Sequence, residues 1–408
     1  MKQPILGCVL ACFAMALTIP ANPTQPKTTQ RISNSDQPAF LVAAVDWLAA
    51  AQYANGGWGA GQHVRQDVRD PHAVQIDPAT TAFSAMALMR AGHTLSAGKY
   101  SNHVRKALDQ ILNMVETADG QGANITKVVG TQPQRKLGQN IDVAMASQFL
   151  TKIRRDVNDD NLAARIDRAI AICIDKIEAG QRADGSMQNG GWAPVLQSAM
   201  AASALETAVV TGYAVDGAAV RNAKNYQQEN IRKGKAGLSD AAGIPLYALA
   251  SAQRATAADA RYVRNNIAPA MLQEATSLKQ INEVVVRELG RQGKDQEEAE
   301  ELAEAFFTSR QVTEQLQDDQ VWRGFGNNGG EEFLSYMMTS ESMVQQGPDA
   351  WEPWYDKITN RFAQIQNADG SWSGHHCITS PVFCTAAVIL ALTAGDDPDL
   401  IAAQEHGR

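Results

Sequence analysis

Alanine-rich amphipathic segments recur along most of the chain, and no segment shows the sustained apolar–polar alternation of a β-strand. Within residues 44–52, Val45 and Leu48 fall on one helical face. The Asn-Gly-Gly that follows stops this helix, and Asp77 and Pro78 begin a second one. The pattern therefore predicts two helices joined by a loop as the basic unit of the fold.

This helix–loop–helix unit recurs along the chain, which indicates an internal repeat. Gln52, Glu116 and Gln181 end the first helix of three successive units, and they lie 64 and 65 residues apart. The second helices of six units are predicted to begin near Asp77, Asn140, Pro194, Ile244, Glu331 and Ser380.

Six hairpins that each expose an apolar face must stack on one another. Closure of that stack into a ring predicts an all-α fold, an α/α toroid of about six helical hairpins. The alanine-rich second helices would line the inside, and the more charged first helices would form the outer layer. The loops and first turns at the N-termini of the inner helices, from Asp77 to Ser380, then gather at one end, called here the N-terminal pole. Helix N-termini carry partial positive charge and free N–H groups, so this end favours ligands.

Residues 1–21 are predicted to be a signal peptide, because Lys2 precedes an apolar stretch too short for a comfortable membrane span. Residues 22–38 are rich in polar residues and proline and are predicted to be a disordered linker. The remaining predicted parts are a repeat domain at 39–400, a charged helical insertion within it at 278–317, and a tail at 401–408.

The signal peptide predicts export to the periplasm or the medium. Val9 to Cys12 loosely resembles a lipoprotein signal, but it leaves too short an apolar stretch before the cysteine, so a lipoprotein is not predicted. No later segment is long and apolar enough to span a bilayer. The formal net charge of −8 argues against nucleic acid and anionic membranes as partners.

Two copies of the pattern Gln-x3-Gly-x-Trp stand in equivalent positions of the first and last units. They are Gln52, Gly56 and Trp58, and Gln366, Gly370 and Trp372. A third unit has Gln181 and Gly185, with Met187 in place of the tryptophan. These residues resemble the QW repeat of squalene–hopene cyclases and of the wider terpene cyclase/protein prenyltransferase family.

That resemblance implies the α/α-toroid fold, and the motif has a structural role that can be stated physically. The Gln amide can bridge the C-terminus of its own helix and the N-terminus of a neighbouring helix. The Trp ring can cover this joint while its N–H group finds a carbonyl. The motif is therefore interpreted as a structural repeat rather than as catalytic machinery.

The catalytic motifs of the resembled family are not found in this chain. The nearest string to the Asp-x-Asp-Asp acid motif, Asp156 to Asp160, lacks the first Asp at the right spacing and is interpreted as a loop with a helix cap. The Asp-x-Cys zinc motif of prenyltransferases and the Gly-Cys-Gly-Glu-Gln thioester motif are both absent.

The repeat register places a set of polar residues at the N-terminal pole. The candidate site residues there are His72, Asp77, Asp142, Gln197, Glu331, Glu332, Tyr336, His375 and His376. Carboxylates beside imidazoles can do acid–base work if burial shifts their pKa values. The other interpretation is that Asp77, Glu331 and Glu332 are helix-start residues that complement the helix dipole.

Two cysteines follow the histidine pair, and three interpretations of them stay open. Cys377 and Cys384 can form a disulfide in an oxidising compartment, can be unpaired structural residues, or can contribute a metal ligand or nucleophile. No cofactor is predicted, and zinc at His375, His376 and Cys377 is the alternative. Cys173 is predicted to be a buried free thiol in a helix.

Two functions from different classes follow. The first is an exported binding protein whose cavity or loop pole holds an unknown small molecule, polymer or protein. The second is an enzyme with its site at the N-terminal pole, either an isoprenoid cyclase or transferase or a polysaccharide lyase or hydrolase. An isoprenoid site needs an aromatic cage, and aromatic residues are only 6% of this chain, which favours the first function.

Overall fold

Fifteen α-helices make up the regular structure of the residues that this computed structural model describes, 37–120, 122–232, 241–324 and 326–401. They are α1 (Ala39–Ala50), α2 (Pro78–Arg90), α3 (Ser101–Glu116), α4 (Gln132–Lys136), α5 (Ile141–Ile153), α6 (Asp160–Gly180), α7 (Pro194–Val210), α8 (Gly217–Arg232), α9 (Pro245–Asn266), α10 (Pro269–Glu274), α11 (Leu278–Arg291), α12 (Gln296–Gln315), α13 (Gly330–Gln346), α14 (Pro348–Ile365) and α15 (Pro381–Leu392). No β-strand occurs in those ranges, so the predicted all-α class is confirmed.

Six of the helices contact one another in a closed cycle. The order is α2, α5, α7, α9, α13, α15 and back to α2. These are the second helices of the six predicted hairpins, and each begins within one residue of its predicted start. This closed cycle, called here the ring, is consistent with the predicted α/α toroid.

A second set of helices lies outside this cycle. Helices α1, α3, α6, α8, α12 and α14 each pack on the inner helix before them, with α1 packing on α15. Their patterning explains the two layers, because an outer helix such as α3 buries one stripe, from Val104 to Val115, and exposes the rest. In contrast, every residue of the inner helix α15 is buried.

The structure divides the charged segment 278–317 differently from the sequence prediction of an insertion. Helix α12 takes an outer-layer position and packs along α9, the inner helix of the fourth unit, while α11 packs on α12. One face of α12 is buried, with Ala299 and Ala303 fully so, in a small second core that includes Val285 of α11. Helices α10 and α11, like the short helix α4, are therefore additional to the six hairpins.

The glutamines of the repeat motif hydrogen-bond the turn that follows them and the start of a neighbouring outer helix. Gln52 Nε2 donates hydrogen bonds to Gly56 O and to His103 O in the first turn of α3, both at 2.9 Å. Gln366 Nε2 donates to Gly370 O at 2.7 Å and to Phe40 O in the first turn of α1 at 2.9 Å. The second of these joints connects the last unit to the first.

The glycine and tryptophan of the motif complete the same joint. Gly56 has a φ of +93°, and a Cβ there would lie 2.4 Å from Lys106 O of α3, so only glycine lets the two backbones approach. Trp58 is fully buried, and its Nε1 donates to Leu48 O at 2.8 Å. Trp372 is also fully buried and donates to Phe362 O at 3.0 Å.

The third copy of the motif keeps the glutamine and the glycine but has no tryptophan. Gln181 Nε2 donates to Ala219 O in α8 at 2.9 Å, and a Cβ on Gly185 would lie 1.9 Å from Asn222 O of that helix. Met187 fills the tryptophan position and is 1% exposed. The joint therefore depends on the amide and the close backbone approach, while the ring position accepts another apolar side chain.

The opposite end of the ring, where the inner helices terminate, carries a buried ion network. Arg90 Nη2 lies 2.6 Å from both Glu341 Oε1 and Asp397 Oδ2. Lys152 Nζ lies 2.9 Å from the same Asp397 oxygen. Arg90 and Lys152 lie in the last turns of α2 and α5, where cations complement the helix dipole.

Several sequence predictions concern residues outside the described ranges. They include the signal peptide at 1–21, nearly all of the linker at 22–38 and nearly all of the tail at 401–408. Among the described helices, none combines the length and the hydropathy needed to cross a membrane. The string near Asp160 is a helix start as predicted, because Asp159 caps α6 by accepting a hydrogen bond from Leu162 N at 2.8 Å.

Candidate functional site at the N-terminal pole

Asp77 is the N-cap residue of α2. Its side chain is fully buried and accepts hydrogen bonds from Thr80 N at 2.8 Å and from Ala60 N at 2.9 Å. Burial raises the pKa of Asp77, while these backbone N–H groups oppose that rise. Both oxygens are thus held by groups that begin the helix and fix the preceding loop.

Asp142 lies in the first turn of α5 and faces the start of α2. Its Oδ1 accepts from Ala79 N at 3.1 Å, and its Oδ2 accepts from Gln134 Nε2 at 2.6 Å. Burial, followed by the nearby charge of Asp77, raises the pKa of Asp142 to about 7. Asp142 therefore links two neighbouring inner helices through a free N–H group at a helix start.

Gln197 makes the equivalent link one unit later. Its Oε1 accepts from Asn140 N at 2.8 Å, immediately before α5, and its Nε2 donates to Gln188 O at 3.1 Å. Gly138 allows this approach, since a Cβ there would lie 2.0 Å from Gln197 Oε1. The Gln197 amide and the Asp142 carboxylate thus make the same kind of contact in successive units, because each accepts a hydrogen bond from a backbone N–H group at the start of the preceding inner helix.

Glu331 and Glu332 are adjacent, fully buried carboxyl groups at the start of α13. Glu332 closes a capping box on Gly329 N at 2.8 Å and accepts from Tyr247 Oη at 2.8 Å. Glu331 Oε2 accepts from Ile378 N at 3.2 Å, in the loop before α15. Burial and then the charge of Glu332 raise the pKa of Glu331 to about 8, so its carboxyl group is mostly protonated at neutral pH.

The cysteines are free in the described structure, so the disulfide alternative is not realised there. Cys377 has a φ of +61°, which is uncommon for a residue with a side chain, and Cys384 is fully buried on α15 with its thiol 3.7 Å from Ile378 O. Burial, followed by the charge of Glu331, raises the pKa of Cys377 to about 12. The thiol form therefore predominates, which argues against a nucleophile. Cys173 is free and fully buried, as predicted.

The histidine pair holds the loop before α13. His376 Nε2 lies 2.8 Å from Asn327 O, and the backbone N–H of His375 donates to Asn328 O at 2.8 Å. No group of three or more His, Cys, Asp or Glu side chains within the described ranges is arranged to hold a metal ion.

Two predicted residues lie apart from the buried carboxyl groups. His72 is exposed, and its ring packs edge-on against Tyr53 with centroids 5.4 Å apart. Tyr336 is buried one turn further along α13 and donates to Trp322 O at 2.8 Å. It stacks on the Trp322 ring and serves as a joint within the fifth unit.

Some residues of the pole were not predicted from the sequence. Gln132 Oε1 accepts from Thr379 N at 2.7 Å and from Ser380 N at 3.2 Å, which ties the loop after α3 to the start of α15. Tyr247 bonds the buried Glu332, and its pKa is raised by burial and by that neighbour. The Thr131-Gln-Pro-Gln capping box is a local signal that could have marked the helix at Gln132.

Taken together, the predicted carboxylates at this pole hold backbone N–H groups at helix starts. Such hydrogen bonds position the loops, although Glu331 Oε1 is buried without a hydrogen-bond partner among the described residues. Neither a protein-family model nor a curated protein sequence matches the chain. The function must therefore be argued from these contacts.

Proposed function

We propose that the chain is an exported α/α-toroid protein of the terpene cyclase/prenyltransferase-like superfamily that binds a ligand or partner at its N-terminal pole without the family's chemistry. The observation that carries this proposal is the use of Asp77, Asp142, Glu331 and Glu332 as buried acceptors for backbone N–H groups. A general acid or base must reach a substrate atom, and these groups are fully buried among helix starts.

The packing of the inner helices supports the loops, rather than the middle of the ring, as the binding surface. All residues of α15, on every side of the helix, are buried, and Phe83 of α2 lies against Phe383 with ring centroids 5.0 Å apart. A cavity large enough for an isoprenoid would leave accessible surface on the side chains that line it. The binding site is therefore assigned to the loops that join outer to inner helices.

The superfamily assignment rests on the joints. Three units place a Gln amide on a carbonyl in the first turn of the next outer helix, and a glycine under that same helix. Such joints tie a ring together and carry no chemistry, which agrees with a binding role.

The alternative, an enzyme, draws on Glu331. A carboxyl group with a pKa of about 8 is a proton donor at neutral pH, and it lies close enough to Cys377 for its charge to raise the pKa of that thiol. The two functions differ in what the Glu331→Gln variant does, because glutamine keeps the shape and an acceptor oxygen but cannot supply the proton.

The test uses the mature protein with farnesyl diphosphate, squalene, and soluble cellulose and chitin oligosaccharides as probes. Mass spectrometry monitors turnover, and isothermal titration calorimetry monitors binding. We expect binding of at least one probe without turnover, and equal binding by Glu331→Gln and Asp142→Asn. Turnover of any probe that disappears in Glu331→Gln, with an unchanged circular dichroism spectrum, would overturn the proposal, and so would the absence of binding by every probe.

A further inference from the structure

A surface groove lies where the ring closes, between the first and last units. It has a volume of about 510 Å³, within the roughly 300–1,000 Å³ typical of small-molecule sites. Its lining includes Trp47 of α1, Arg69 and Asp70 before α2, and Asn367, Asp369 and Ser373 in the turn after α14. None of these residues belongs to the buried carboxyl groups described above.

The aromatic ring in the groove is held in place by the last motif turn. Trp47 Nε1 donates to Asp369 Oδ2 at 3.0 Å. Asp369 Oδ1 in turn accepts from Ser371 N at 3.0 Å and from Ser371 Oγ at 2.7 Å. The indole is half-buried, so part of it meets the solvent while its orientation is fixed. A fixed aromatic surface costs little conformational entropy when it binds a ligand.

A donor and an acceptor also line the groove. Arg69 Nη1 donates to Gly374 O at 2.8 Å and to Thr379 O at 2.7 Å, which fixes the guanidinium. Its Nε and Nη2 groups have no hydrogen-bond partner among the described residues. Asp70 Oδ1 accepts from His72 N at 2.9 Å, and the side chain is otherwise exposed. Both residues therefore keep hydrogen-bonding capacity for a ligand.

The groove combines chemistry that matches one class of ligand. A sugar ring has an apolar C–H face that packs on an aromatic ring, and hydroxyl groups on its rim that both donate and accept. One arginine and two aspartates give the lining a small negative balance, which disfavours phosphates and acidic sugars. Asn367 and two serines add neutral polar groups, which disfavour a purely hydrocarbon ligand.

We propose that this groove binds a neutral saccharide, with Trp47 as the stacking surface and Arg69 and Asp70 as hydrogen-bonding partners of the hydroxyl groups. This inference rests on the proposed binding function and names the class of ligand and the place where it binds. An extended neutral polysaccharide would lie across the seam between α1 and the turn from Asn367 to Ser373.

Isothermal titration calorimetry of the mature protein tests the inference with cellohexaose, chitohexaose and maltohexaose, and with hexagalacturonate as an anionic probe. Trp47→Ala removes the stacking surface, and Asp70→Ala removes an exposed hydrogen-bonding group with little risk to folding. Trp192→Ala is the matched control, because Trp192 is 53% exposed and lies outside the groove. Circular dichroism melting checks the fold of each variant.

We expect at least one neutral hexasaccharide to bind, and its Kd to weaken about tenfold or more in both groove variants, as the loss of a stacking contact or a charged hydrogen bond implies. Binding by Trp192→Ala should equal that of the wild type. The inference is overturned if no neutral hexasaccharide binds, if hexagalacturonate binds more tightly than all of them, or if the groove variants bind as well as the control. If farnesyl diphosphate or squalene binds and no saccharide does, this inference is overturned and the proposed function is not. Turnover of a probe that is lost in Glu331→Gln would instead overturn the proposed function.

Discussion

The carboxyl group of Glu331 binds a proton more tightly in the folded protein than in the unfolded chain. Its pKa is raised from 4.5 to about 8, first by burial and then by the charge of Glu332. In the unfolded chain the carboxyl group meets water and its pKa returns toward the ordinary value. Between about pH 4.5 and about pH 8 the folded state thus binds more protons than the unfolded state, and this group's contribution to stability falls as the pH rises.

The Glu331→Gln variant should remove the contribution of Glu331 to the pH dependence of the free energy of unfolding. We expect the free energy of unfolding of the wild type to fall from about pH 5 to about pH 8, and the fall to be smaller in the variant because glutamine does not titrate. Urea unfolding at both pH values measures the difference. Glu297→Gln, another first-turn glutamate but an exposed one, is the control and should keep the wild-type slope. Equal slopes in Glu331→Gln and wild type would contradict the assignment.

Gln366 carries a prediction about the joint that closes the ring. Its amide donates two hydrogen bonds, to Phe40 O and to Gly370 O, and each such bond contributes about 0.5–1.5 kcal/mol. Gln366→Ala should therefore lower the free energy of unfolding by about 1–3 kcal/mol, as measured by urea denaturation. Gln364 lies on the exposed face of α14, just before Gln366. Gln364→Ala should therefore change the free energy of unfolding by less than about 0.5 kcal/mol. Similar losses of unfolding free energy in both variants would show that the hydrogen bonds of the Gln366 amide do not account for the loss.

At the scale of elements, the helical hairpins could be predicted because their periodicity is local. The helix after Asn140 follows from apolar spacing, and the start of α7 follows from that spacing and from Pro194 in its first turn. The outer-layer position of α12 could not be predicted in the same way, since its charged exposed face dominates the pattern while Ala299 and Ala303 are small. Only packing against α9 identifies its buried face.

Several residues of the candidate site could be predicted from the sequence, but the contacts that they make could not. The repeat register brought Asp142, Gln197 and Glu331 to one end of the molecule, but it carries no information about which backbone groups they bind. The contact of Gln132 with Thr379 spans 247 residues, and no local pattern encodes it. The left-handed backbone at Cys377 likewise depends on the loop's path, so the spacing to Cys384 left the disulfide open.

At the scale of the whole molecule, the two ends of the ring respond to protons in opposite ways. Burial and the charge of Glu332 raise the pKa of Glu331 at the N-terminal pole. Burial also disfavours the charged form of Asp397 at the other end, but the charges of Lys152 and Arg90 outweigh it and hold the pKa of Asp397 well below its usual 3.8. The contribution of Asp397 is therefore present above about pH 3.8 and is lost as the pH falls below it.

The Asp397→Asn variant tests the buried network. Removing one partner leaves Arg90 and Lys152 incompletely paired, so we expect a loss of about 3–5 kcal/mol in the free energy of unfolding at neutral pH. Asp67→Asn breaks an exposed pair with Arg65 and should leave the free energy of unfolding nearly unchanged, because solvent screens that pair. Urea denaturation of the two variants measures both. A small loss in Asp397→Asn would mean that the network adds little to stability.

Because the joint between Gln366 and Phe40 connects the last unit to the first, we expect that the chain can begin at another point of the cycle without a change in the order of the units. Gln37 and Pro398, near the two ends of the described chain, line one cavity of about 580 Å³, so a short glycine–serine linker can connect the ends. A circular permutant opened at Gly293, in the exposed turn between α11 and α12, should fold with a circular dichroism spectrum and melting temperature close to those of the parent. A permutant opened at Ala146, inside the buried helix α5, should not fold. If the Gly293 permutant also failed, the covalent start of the chain would be essential, and the noncovalent joint could not substitute for it.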